Sequence, residues 1–152
     1  MMDALIGAAV EAATDPNREL AVERPSRSVS AIREASNPPR RWLPFVQCVL
    51  HRESGATLDR RQSGAGARNA SGAAGRWQFM PDWRHGLPFM VRDRLVRFGL
   101  PNAQAMKVRV WLSAHPINQW PGVYQDMGAF EVLERGGSYH WKLAGSTCEA
   151  YR

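Results

Sequence analysis

Lysine is nearly missing from this chain. Lys107 and Lys142 are the only two among 152 residues, so the net charge of +6 rests on arginine. The arginines are scattered, at positions such as Arg40, Arg60, Arg76, Arg92 and Arg109, with no dense basic run and no aromatic stacking platform beside one. A basic chain is drawn to polyanions, but this dispersal excludes a specific nucleic-acid reader, and an acidic wall polymer satisfies the charge as well. Also missing is an apolar run long enough to cross a bilayer, so no transmembrane segment is expected. The apolar stretch at residues 5–10 follows Asp3 with no basic segment before it, which makes a poor secretory signal. Internal repeats are not evident. Cysteine is limited to Cys48 and Cys148.

With 44% hydrophobic and 22% charged residues, the chain has the balance of one globular domain able to bury a usable core. Residues 1–40 stand apart. Residues 2–14 make a candidate first helix, 15–37 are polar and charged, and Asn37-Pro38-Pro39-Arg40 marks a boundary. This zone is expected to be an arm or linker, partly disordered, or a docking segment for a particle or cell-envelope protein. Residues 41–152 are expected to form the domain.

Within that domain, residues 44–53 predict a helix in which Phe45, Val49 and Glu53 fall at i, i+4 and i+8. A carboxyl in line with an apolar stripe is a poor place for a spectator charge. Pro44 suits the first turn and Gly55 the position past the end, so Glu53 stands near the negative pole of the helix. Partial burial and the dipole both disfavour the anion, which is the environment of a proton donor for glycosidic bond cleavage. A solvated helix-terminal Glu is the competing reading. Downstream, a Gly/Ala/Ser/Arg/Asn-rich stretch at residues 63–75 can form a loop or cleft wall but no core, and it runs into Arg76-Trp77-Gln78-Phe79-Met80-Pro81-Asp82-Trp83.

Cys48 ahead of Glu53-Ser54-Gly55, then Gly75-Arg76-Trp77-Gln78-Phe79 and a Trp, resembles the transglycosylase-like domain of resuscitation-promoting factors, of the lysozyme-like superfamily. The likeness spans residues 42–83, with a weaker echo at Cys148. It implies a mainly α, α+β lysozyme-like fold: a compact helical domain with a loop or small hairpin as one cleft wall. It also implies cleavage of the N-acetylmuramic acid–N-acetylglucosamine strand of peptidoglycan. Glu53 takes the place of the family's catalytic acid and Gln78 that of its cleft glutamine, with Trp77 beside it. The chain departs from the family in the 55–75 insert, in an extra helical region after Trp83, and in Pro81-Asp82-Trp83 where relatives carry Ser/Thr-x-Trp. The family's two cysteines pair, which implies a Cys48–Cys148 disulfide and an oxidising, extracytoplasmic or particle-associated location. Two unpaired core thiols are the alternative. A four-ligand zinc set of Cys48, His51, His140 and Cys148 has the wrong spacing in its second half, so no metal and no cofactor is expected.

Three further helices are predicted. Pro88 opens one at 89–98 with Val91, Leu95 and Phe98 on a face; Asn102 caps one at 103–113 with a stripe of Ala103, Met106 and Val110; residues 124–135 align Met127, Phe130 and Leu133. These stripes read as core. The turn Pro116-Ile117-Asn118-Gln119-Trp120-Pro121-Gly122 offers amides and an indole, so Asn118, Gln119 and Trp120 are candidate sugar contacts, with a packed turn the alternative. Tyr139-His140-Trp141 has the same ambiguity.

A hydrolase adds a second carboxylate, for which Asp59 and Asp82 are nearest in sequence. A lytic transglycosylase needs one acid/base, because the sugar's own 6-hydroxyl attacks the anomeric carbon. Asp59 falls on the expected loop and Asp82 at an expected helix start where capping accounts for it, which favours the single-Glu reading. The non-enzymatic alternative is an idle lysozyme-like module that binds glycan or plugs an assembly.

Overall fold

Leu43–Ser54, the second helix in chain order (α2), forms as its punctuation dictates: Pro44 sits in the first turn, and Gly55 takes a left-handed φ of 68° while its N–H closes on the His51 carbonyl at 2.8 Å. In this computed structural model residues 27–58, 72–141 and 147–151 are described. Four more helices complete the framework: α1 (Arg27–Ala35), α3 (Trp83–Arg97), α4 (Asn102–Ala114) and α5 (Gly122–Gly136). Short 3₁₀ turns stand at Arg40–Trp42, Ile117–Gln119, Gly137–Trp141 and Thr147–Tyr151. The described chain is mainly α, and its only bridge pairing that can be assigned is Ala74 with Phe79. None of these helices is long and apolar enough to cross a membrane.

The core is organised around α5. Every residue from Gly122 to Leu133 is buried, so a helix with polar Gln125, Asp126 and Glu131 is enclosed on all sides. Such a helix needs partners for each polar group, and they are supplied below. α3 packs across α5 and α4. Gly128 permits that approach, because a Cβ there would stand 2.9 to 3.1 Å from the Leu87 side chain.

The boundary expected at residue 40 moves. Residues 1–26 lie outside the described residues, but α1 belongs to the core: Ala31, Ile32 and Ala35 are buried, and the Arg94 guanidinium donates to the carbonyls of Ala35 (2.6 Å) and Asn37 (3.2 Å). Arg94 is itself buried and pairs with Glu131 and Glu134, so one cation caps the C-terminal end of α1 and locks it to α3 and α5. The three apolar positions of α1 are diluted by Arg27, Arg33 and Glu34, which hid them in the sequence.

α3 starts at Trp83, five residues before Pro88, which lies buried inside it instead of opening it. The α4 stripe is also corrected. Ala105, Val108 and Leu112 are the buried positions, whereas Ala103 and Val110 are exposed and Met106 half-buried. Met106, Lys107, Val110, Trp111, Ala114 and His115 line a shallow apolar hollow of about 480 Å³ on the outer face. Both faces of α4 carry apolar residues at helical spacing, so periodicity could not choose between them.

Cys48 on α2 and Cys148 in the last turn are disulfide-bonded, with Cα atoms 5.5 Å apart. The bond takes both sulfurs out of the four-ligand zinc set and joins α2 to the C-terminal turn that packs on it.

Candidate active site

Phe45 and Val49 are fully buried on α2, and the stripe they define delivers Glu53 to the last turn with its side chain 19% exposed. The carboxyl therefore stands at the rim of the core, neither interior nor free. Arg52 reaches across to it: Nε and Nη2 both donate to Glu53 Oε1, at 2.9 and 2.7 Å. Nη2 also donates to the Trp141 carbonyl at 2.9 Å, so the guanidinium is fixed by the C-terminal turn. Among the described residues no hydrogen bond reaches Glu53 Oε2. After the helix, Ser54 Oγ donates to the Leu50 carbonyl and accepts from the Ala56 N–H, both at 3.3 Å, which turns the chain out at Gly55.

The segment at 74–79 folds back on itself through paired Ala74 and Phe79 bonds of 3.0 Å in each direction. It is held by a buried polar knot. Arg76, with no exposed surface, pairs with Asp126 (Nε to Oδ1 2.9 Å, Nη2 to Oδ2 3.2 Å) and donates to the Thr57 carbonyl at 2.8 Å. Its backbone N–H donates to Gln125 Oε1 at 2.7 Å, and Trp77 Nε1 donates to Asp126 Oδ1 at 2.9 Å. Gly75 lies against the same Gln125 oxygen with φ at +83°, so a side chain there would meet both strain and a collision. One ion pair thus joins the chain leaving Glu53, the 74–79 turn and α5. A buried pair hydrogen-bonded on both carboxylate oxygens in this way specifies position more than it adds stability.

Gln78 is half-exposed and is the single non-glycine residue with positive φ, 51°, among the described residues. Its Nε2 donates to the Gly75 carbonyl at 3.0 Å, which holds the side chain along the turn. Its neighbours Trp77 and Phe79 are both buried.

Trp77 is not a surface contact. It is wholly buried, edge-on to Phe130, and it accepts the Trp141 indole N–H on its carbonyl at 3.1 Å. Trp120 is corrected for the same reason. Its ring is fully buried and Nε1 donates to the carbonyls of Leu112 (3.0 Å) and His115 (2.9 Å), which closes the end of α4. Of the three candidates in that turn only Asn118, half-buried, and Gln119, exposed, reach the surface, and no hydrogen bond among the described residues connects either with Glu53. The neighbouring hollow of about 110 Å³, lined by Ala74, Phe79, Arg84 and Ile117 among others, does not include Glu53.

Asp82 is exposed at the start of α3 and makes no side-chain capping bond, contrary to expectation. Asp59 lies outside the described residues, as does the stretch at 59–71. The sequence reading missed Asp126, which stands between Tyr124 and Met127 in a helix predicted from its apolar spacing. It also counted Arg76 only among the scattered arginines.

Compared with known proteins, the chain matches no family model, no curated protein and no solved structure.

Proposed function

We propose that this protein cleaves the glycan strand of peptidoglycan as a lytic transglycosylase of the lysozyme-like kind, with Glu53 as its single acid/base. The observation that carries the reading is the placement of Glu53: a half-buried carboxyl on the last turn of a core helix, gripped by Arg52 at one oxygen, with the turn bearing Gln78 tied to the next segment of chain. Arg52 fixes Oε1, which leaves Oε2 to carry the proton. Glu53 gives that proton to the glycosidic oxygen as the C1–O bond breaks, then takes one from the 6-hydroxyl as that oxygen closes on C1 to form the 1,6-anhydro ring. Gln78, which can donate and accept, suits the N-acetyl and hydroxyl groups of the sugar.

Two of the other described acids offer no second catalytic carboxylate. Asp126 is spent in the buried pair with Arg76, and Asp82 lies exposed beyond the turn. The disulfide fits an extracytoplasmic or particle-borne protein. Mass spectrometry of muropeptides released from purified wall tests the reading. Anhydro ends support it, reducing ends replace it with a hydrolase, and no cleavage leaves a glycan-binding module.

A further inference from the structure

An unbroken row of aromatic rings runs from the core of this protein to its surface, and Arg52, the partner of Glu53, binds the backbone carbonyl of one of its members, Trp141. Phe130 and Trp77 are 6.0 Å apart between centroids, Trp77 and Trp141 5.6 Å, Trp141 and Phe79 5.8 Å, and Phe79 and Trp83 5.8 Å. Trp83 is half-buried and meets His140 edge to face at 4.5 Å; His140 meets Tyr139 at 5.9 Å, and Tyr139 is 75% exposed. The first four rings are buried, and exposure begins at Trp83. The inner rings account for the core, but nothing in the packing accounts for the two that emerge, since a large ring in water gains little.

We propose that Tyr139, His140 and Trp83 form a stacking subsite for a pyranose ring of the glycan strand, a β-linked N-acetylhexosamine. The proposal rests on the glycan-cleaving reading above. The C–H face of a sugar is apolar and complements an aromatic face, while its hydroxyl rim stays in water. The shelf is preorganised, because Trp83 is seated on Phe79 and the backbone of 137–141 is held by the Trp141 indole bond to Trp77 and by Arg52 on the Trp141 carbonyl. That Arg52 contact also fixes the distance along the chain: the guanidinium gripping Glu53 binds the residue next to His140. Burial lowers the His140 pKa below its ordinary value, so near neutral pH the ring presents an uncharged π face.

The test uses the full chain carrying Glu53→Gln, so that bound glycan is not turned over. Binding to insoluble peptidoglycan and to a soluble β-1,4-linked N-acetylglucosamine tetramer is measured with and without Tyr139→Ala and His140→Ala together. Both positions are exposed, and circular dichroism checks that the double variant folds. Affinity for both ligands is expected to fall roughly 10-fold, with Tyr139→Phe retaining wild-type affinity because the face and not the hydroxyl is used. Unchanged affinity in a folded double variant overturns the shelf, as does a parent that binds neither ligand. The two readings fail separately: with Glu53 restored, cleavage with an unchanged KM in the double variant removes the shelf alone, whereas binding without cleavage in the wild-type chain removes the catalytic assignment alone.

Discussion

Arg52 and Glu53 are sequence neighbours that nevertheless face each other, because the guanidinium bends back to place two donors on the single oxygen Oε1. Consecutive helical residues diverge by about a quarter turn, so this contact needs an outside anchor, and the Trp141 carbonyl provides it. Glu53→Gln keeps the shape and removes the transferable proton. Cleavage of purified wall should fall roughly 100-fold to 10,000-fold. The fold should survive, because a partly exposed pair contributes only about 0–1 kcal/mol. A folded variant with wild-type turnover would disprove the assignment.

Asp126→Ala should be far more damaging to stability. It strands the Arg76 guanidinium in a site with no exposure and removes the acceptor of the Trp77 indole, at a cost of roughly 3–5 kcal/mol. Urea unfolding followed by tryptophan fluorescence measures it. A loss under about 1 kcal/mol would mean that the knot is not closed as described.

Reduction of the Cys48–Cys148 bond, which spans a sequence separation of 100, should lower stability by up to about 4.7 kcal/mol in the chain-entropy model. Non-reducing peptide mapping should recover the two cysteine peptides linked. Two freely alkylated thiols in air-oxidised protein would remove the argument for an oxidising location.

Trp120→Ala should cost roughly 3–5 kcal/mol of folding stability, as removal of a fully buried indole does. Gln119→Ala, one residue away and exposed, should stay within about 0.5 kcal/mol of wild type. Thermal melts of the two variants side by side decide whether that turn is a packing element or a sugar contact.

Asp93 supplies a pH test. Burial alone would raise its pKa, but the hydrogen bonds and charges of Arg92 and Arg135 outweigh that and hold it below the ordinary 3.8. A carboxylate depressed on folding adds stability above its unfolded pKa and loses it as pH falls through the folded value. Asp93→Asn should therefore melt below wild type near pH 7, by a small margin because the pair is half in solvent, and the gap should close as pH falls through the folded value. A gap unchanged by acid would point to packing instead of charge.

The parts of the fold that could be read from sequence were those with one clear punctuation or one apolar face. Pro44 and Gly55 bounded α2 to within a residue, and the Met127, Phe130 and Leu133 stripe of α5 is buried as expected. α4 was placed correctly but turned the wrong way, because Met106 and Val110 on one side compete with Val108 and Leu112 on the other. At the site, the rim position of Glu53 followed from the spacing of Phe45 and Val49. Its anchor on Trp141 did not, since a contact across 89 residues leaves no local pattern. The aromatic richness around Trp77 and Trp120 was ambiguous for a related reason: an indole suits a sugar and a core equally, and only the carbonyls waiting for its N–H decide which.

The bond from Arg76 to the Thr57 carbonyl has a consequence for how this chain can change. It brings Thr57 and Arg76 to one point, so the two sides of residues 59–71 are tied directly to each other. Lengthening a stretch tied in this way costs little, about 0.6 kcal/mol for each doubling of a flexible loop. Glu53 and Gln78 are each fixed on the near side of the clasp. Sequence exchanged or inserted at residues 59–71, away from Thr57, Gly75 and Arg76, then leaves the clasp to hold the relation of Glu53 to Gln78.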